Sequence, residues 1–194
     1  MKRGAARCIG VLLWLAACGM ALADTPVEIC FDYSCLHQAR ATFSAADMAE
    51  LAQVIEAASD AADERARVGE AIGLMYEMAG RQTPIHRDRG RNAVDDRSAE
   101  GSMDCIDHST NSYAFLRLLE EAGLLKFHHP GERNRRFAFL VFGEHWAATL
   151  VENESGQAYA VDSWFFDPGY PAVVVPLARW KEGYDPGNKV TRAP

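Results

Sequence analysis

Cys105 stands in Ser102-Met103-Asp104-Cys105-Ile106-Asp107-His108, immediately before a stretch of helical character. His145 follows in Glu144-His145-Trp146, and Asp162 in Val161-Asp162-Ser163-Trp164. A cysteine, a histidine and an aspartate, each at the edge of an expected element, can form a thiol nucleophile, its base and a carboxylate that orients the base. A cysteine at a helix N-terminus meets unpaired amide groups and the positive end of the helix dipole, which favour its thiolate. Asp104 and Asp107 oppose this, so an imidazolium partner matters, and His145 is the foremost candidate.

The elements around these residues follow from spacing. Ser44 with Asp47 has the form of a capped helix start, and Met48, Leu51, Ile55 and Ala58 keep helical period behind it. A second helix is expected from about Asp63 to Ala79, with Val68, Ile72, Met75 and Ala79 as its apolar stripe and Gly80 as its stop. Met75 and Met78 read as core filler. A third helix is expected from near Asp104 to Gly123, with Ser102 or Asp104 as its cap and an apolar face formed by Tyr113, Leu116, Leu119 and Ala122. Strands are expected at 137–142, 145–152 and 157–162, the last two joined by a turn at Asn153-Glu154-Ser155-Gly156, with a further short strand at Val173-Val174-Val175. Residues 24–43 read as irregular. The polar stretch 81–101 reads as a long, solvated loop of the kind that is often functional or mobile. Helices first and an antiparallel sheet afterwards define an α+β domain.

A turn centred on 153–156 gives strand partners summing to about 309. His145 and Asp162 then project from one face, because side chains alternate with period two. Ala147, Thr149 and Ala160 share that face, and their small size leaves room for the helix end that carries Cys105. Trp146, Leu150, Tyr159 and Val161 take the opposite, core-packing face.

The 194 residues fit one domain, and 48% hydrophobic content supports a core. Residues 1–23 read as an export signal, with Lys2, Arg3 and Arg7 before an apolar run and Ala21-Leu22-Ala23 as a cleavage site. Residues 24–194 are then the single mature domain, periplasmic or secreted. Leu15-Ala16-Ala17-Cys18 offers the alternative of a lipoprotein anchored through Cys18, the one route to membrane attachment. The net charge of −7, more negative still without the leader, argues against nucleic-acid binding. Of five cysteines, Cys8 and Cys18 fall in the leader. Cys30 and Cys35 can pair across a short loop, which leaves Cys105 as the odd thiol, either reactive or buried and inert.

The Asp-Cys-x-Asp helix start, the strand histidine and the aspartate closing the next strand resemble the transglutaminase-like superfamily. The nearest type is the bacterial transglutaminase-like cysteine proteinases with their Gly-Asp-Cys-Glu-Asp motif. Asp104, Cys105 and Asp107 match; Met103 and Ile106 replace the glycine and the glutamate. The resemblance covers about residues 63–165. It implies a papain-like core with the Cys105 helix packed on the antiparallel sheet. Cys105 would be the nucleophile, His145 the general base and acid, and Asp162 the orienting group. No cofactor is implied. The expected activity is cleavage or transfer at a peptide or side-chain amide through an acyl-enzyme, with a protein or peptide as substrate.

The Cys105 N–H is one oxyanion donor, with Asn92 and Gln82 as candidates for a second. Asp107, Trp146 and Trp164 are candidate cleft residues. The aromatic group Trp164, Phe165, Phe166, Tyr170 and Trp180 forms either a cleft wall or ordinary loop packing, and Asp167-Pro168-Gly169-Tyr170 a turn. Two other readings stand beside the enzyme. One is a non-catalytic periplasmic binding or assembly module of the same fold. The other is a metal site drawn from Cys105, His108, His128, His129 and His145, although the cysteine pairs of a structural zinc site are lacking. His108, one turn into the Cys105 helix, is an alternative base, and His128-His129-Pro130 reads as an exposed turn.

Overall fold

The computed structural model describes residues 24–91, 100–137 and 144–187. Residues 1–23, Asn92 and most of the expected strand at 137–142 lie outside them.

Residues 24–43 are not irregular but form a hairpin of β1 (Thr25–Phe31) and β2 (His37–Phe43), paired from Thr25↔Phe43 to Phe31↔His37. The inward residues Ile29, Phe31, Ala41 and Phe43 are buried. Their alternation is masked in the sequence by the polar outer face of β2, which carries Gln38 and Arg40. The connection also departs from the common two-residue hairpin turns: Asp32, Tyr33, Ser34 and Cys35 all have positive φ.

Helix α1 (Ala45–Glu56) starts at a complete capping box of Ser44 and Asp47. Helix α2 (Ala61–Gly80) begins earlier than its apolar stripe indicates, because the Asp60 carboxylate caps the Asp63 N–H. Its buried face carries Val68, Ile72, Met75 and Ala79 as expected. At Gly73 a Cβ would lie 2.5 Å from the Tyr170 carbonyl oxygen, so the bare backbone lets 170–172 run close along the helix. A 3-10 turn (Pro84–Arg87) follows.

Helix α3 (Cys105–Glu121) is capped by Asp104. Its buried face is rotated from the expected stripe. Leu116 and Leu119 are in the core, but Tyr113 is exposed, while Phe115 and the polar His108, Asn111 and Ser112 are buried. An apolar-only stripe misses this, since these polar side chains enter the core through hydrogen bonds.

Four strands form one antiparallel sheet in the order β3 (His128–Phe137), β4 (Glu144–Glu152), β5 (Ala158–Asp162) and β6 (Val173–Pro176). The β4–β5 register, with Ala148 opposite Val161 and Thr149 opposite Ala160, is the one expected from the turn at 153–156. His128-His129-Pro130 is not a turn but opens β3, where a proline is tolerated because the strand lies at the sheet edge. A short helix α4 (Leu177–Lys181) closes the described fold.

The main core joins the hairpin, α1, α2 and α3 to Ala148, Leu150 and Val161 of the sheet. On the other face of the sheet, Ala147 and Ala160 pack against Trp180 of α4. The small side chains beside His145 thus make room for an indole. The helix carrying Cys105 packs against the opposite face of β4. The molecule is an α+β structure of helices and antiparallel sheets.

Candidate active site

Cys105 is the first residue of α3. Its cap is reciprocal: the Asp104 carboxylate accepts from the N–H groups of Ile106 and Asp107, and the Asp107 carboxylate from the N–H of Asp104. Cys105 is the free cysteine of the described residues and is partly exposed. Its thiol reaches the Glu144 carbonyl oxygen at 3.7 Å, at the start of β4 and one residue before His145. Burial pushes this thiol up to about 11, and the negative charges of Asp104 and Asp162 add to the effect. The N–H groups of Trp146 and of Cys105 itself work against it by donating to the sulfur.

His145 Nε2 and Asp162 Oδ2 are 2.7 Å apart, and both residues are buried. A carboxylate only accepts, so Nε2 carries the proton and Nδ1 is the basic nitrogen of the neutral ring. Asp162 is held from two further directions. Trp180 Nε1–H donates to Oδ2 at 2.8 Å, and the Trp164 N–H to Oδ1 at 3.2 Å. The His145 ring sits among Trp164, Trp180 and Phe165, with centroids 4.8, 5.6 and 5.8 Å away. Three aromatic rings and a fixed carboxylate leave the imidazole little freedom to turn.

The remaining candidates separate. Trp146 is half-buried beside the thiol, with the guanidinium groups of Arg133 and Arg135 over its ring at 5.6 and 5.9 Å. Trp164 lies on His145. Asp107 is no cleft residue: it is fully buried and faces the β1–β2 turn, accepting from the N–H groups of Tyr33 and Cys35. Gln82 is elsewhere, its amide bonded to the Thr42 backbone at 2.8 and 3.0 Å. The expected Cys30–Cys35 disulfide is present.

His108 is not turned toward Cys105. Its Nε2 meets Asp88 Oδ2 at 3.0 Å, and its Nδ1 meets Ser163 Oγ at 2.9 Å. Ser163 continues to Ser112 and Tyr76, and the Tyr76 hydroxyl donates to the His108 carbonyl. Burial drives the Tyr76 phenol far above its usual value, so it stays protonated and can donate. Asp88 also accepts from the Met103 N–H at 2.7 Å, which ties residues 81–91 to the start of α3. That stretch is therefore not simply a solvated loop. His128 Nδ1 is 2.8 Å from the buried Glu64 carboxylate, and His129 is paired with Asn153. Among the described residues no group of three or more His, Cys, Asp or Glu side chains is arranged to hold a metal ion.

Two participants escape sequence reasoning. Trp180 belongs to the aromatic group after Asp162, but its bond to that aspartate spans 18 residues and has no spacing signature. Asp88 lies within a basic, polar stretch with nothing to mark it as buried. No family model matches the chain, and no curated protein or solved structure matches it.

Proposed function

We propose that this protein is a thiol enzyme of the transglutaminase-like kind, acting on peptide or carboxamide bonds through an acyl-enzyme on Cys105. The observation that carries the reading is the His145–Asp162 pair, joining the start of β4 to the end of β5, next to the Glu144 carbonyl that meets the Cys105 thiol. A helix bearing the thiol packed on the antiparallel sheet agrees with a papain-like core. In this reading Nδ1 of His145 takes the thiol proton as Sγ attacks the substrate carbonyl carbon. The same proton passes to the leaving amine when the C–N bond breaks. Water then releases the acid and regenerates the thiol; an amine in its place gives transfer. Asp162 holds the proton on Nε2 and stabilises the imidazolium. The Cys105 N–H, already beside the sulfur, is placed to donate to the oxyanion. The leader-like residues 1–23 support an exported protein, and a protein or peptide is the substrate class.

The non-catalytic reading draws support from one observation, the burial and negative charge that raise the thiol to about 11. Alkylation by iodoacetamide across pH separates the two. A nucleophile assisted by an imidazolium reacts below pH 8, and Cys105→Ala removes the labelling together with ammonia or amine release from peptide amides. A thiol that reacts only as pH approaches 11, with no release from any peptide amide tested, ends the enzyme reading.

A further inference from the structure

The turn between β1 and β2 faces the start of the Cys105 helix. Asp32, Tyr33, Ser34 and Cys35 have φ of 63, 67, 55 and 57°, a run that L-residues enter only at a cost. Such a run points successive amides to one side and builds an anion cradle. Here the anions are the two capping carboxylates of α3. The Tyr33 N–H donates to Asp107 Oδ2 at 2.9 Å, the Ser34 N–H to Asp104 Oδ2 at 3.0 Å, and the Cys35 N–H to Asp107 Oδ1 at 2.6 Å. Those two carboxylates flank Cys105 and repel each other; burial and the Asp104 charge push Asp107 up to about 7.

The disulfide closes this turn. Cys35 gives one cradle amide. Cys30 is fixed to the next turn of the same helix, its N–H donating to Asn111 Oδ1 at 2.8 Å and its carbonyl accepting from Asn111 Nδ2 at 2.9 Å. Asp32 completes the attachment, its N–H donating to the Ser102 carbonyl at 2.8 Å and its carboxylate accepting from the Gly101 N–H at 2.7 Å. The bridge spans a sequence separation of five. So short a loop constrains little of the unfolded chain. Its consequence is local: it keeps four left-handed residues in place against the helix end.

We propose that the Cys30–Cys35 disulfide is a positioning element for Cys105, holding an amide cradle on Asp104 and Asp107 so that the thiol stays aligned with His145. The proposal rests on the reading of Cys105 as a nucleophile served by His145. It also makes the site redox-sensitive. A dithiol reductant supplies two electrons and two protons, the Cys30–Cys35 bond opens to two thiols, and the reductant leaves as its own disulfide. The strained turn is then free to relax away from the helix.

The test compares the full chain with a Cys30→Ser/Cys35→Ser variant, each with and without His145→Ala. Iodoacetamide alkylation of Cys105 measures the His145 effect, and amide hydrogen exchange measures the order of residues 104–109. The expected result is a His145→Ala effect of tenfold or more with the disulfide and less than threefold without it. Exchange should rise by tenfold or more at 104–109 while the C-terminal half of α3 holds. An unchanged His145 effect, or unchanged exchange, overturns the proposal. Where the double variant does not fold, the folded full chain and its His145→Ala form are reduced with a dithiol and judged by the same two outcomes. Where His145→Ala has no effect even with the disulfide intact, the enzyme reading fails, and exchange at 104–109 alone decides whether the cradle orders the helix start.

Discussion

His108 and His145 each lie within hydrogen-bonding reach of a buried aspartate; His108 stands three residues after Cys105 in α3, and His145 follows Glu144, whose carbonyl meets the thiol. They differ in what happens at the second ring nitrogen. Nε2 of His108 meets Asp88 and its Nδ1 meets the Ser163 hydroxyl, so both ring nitrogens have a partner. His145 has its Nε2 held by Asp162, but no hydroxyl of that kind meets its Nδ1 among the described residues. A histidine whose basic nitrogen is occupied is part of the scaffold; one whose basic nitrogen remains available can take a proton. Proximity along the chain is the weaker guide, since the histidine one helical turn from Cys105 is the one committed elsewhere.

The sharpest way to break this contrast is to truncate each ring. His145→Ala is expected to lower turnover on a peptide amide by about 1000-fold or more, as loss of a triad base does. Turnover is counted per folded molecule, because the buried Asp162 also loses a partner. His108→Ala should cost about 2–4 kcal/mol in denaturant unfolding, because the buried hydrogen bonds from its ring to Asp88 and Ser163 are lost. Turnover per folded molecule should stay within severalfold. Equal activity losses for the two variants would erase the distinction.

Asp162→Asn keeps the shape but offers an amide where His145 needs an acceptor. It should lower turnover by about 100-fold or more through the wrong tautomer, which NMR of the ring nitrogens can read directly. Trp180→Phe removes one charge-assisted bond to Asp162 and should slow turnover by about tenfold, with substrate affinity unchanged. The smallest effect concerns the third pair. Burial raises the Glu64 carboxyl, but His128 and the N–H groups of Lys126 and Phe127 outweigh it and hold Glu64 below its usual value. The stability this pair contributes is present above the unfolded value of about 4.3 and is lost as pH falls through the folded one. Glu64→Gln should flatten the acid limb of a pH-dependent melt and leave the neutral-pH alkylation of Cys105 unchanged.

The His145–Asp162 pairing was legible because period-two alternation and one turn fix which side chains share a face. The start of α3 was legible from the helical period behind it, with the cap left between Ser102 and Asp104, and the Cys30–Cys35 bridge from counting thiols. The hairpin was not, because its turn depends on φ values that Asp32, Tyr33, Ser34 and Cys35 do not advertise. Asp107 has the residue type of a cleft acid and serves instead as a buried anchor, a role set by amides 72 and 74 residues away in sequence. His108 looked available because the hydroxyl that occupies it comes from Ser163, which is 55 residues distant.

The Trp180 bond to Asp162 sets an order in time. A ribosome makes Cys105, His145 and Asp162 before it makes Trp180. A nascent chain that has exposed all three chemical residues still has an orienting carboxylate without its indole, and Ala147 and Ala160 without their cover. The finished geometry waits for α4. In the proposed reading, the Cys105 thiol is thereby kept short of its final form until α4 has been added.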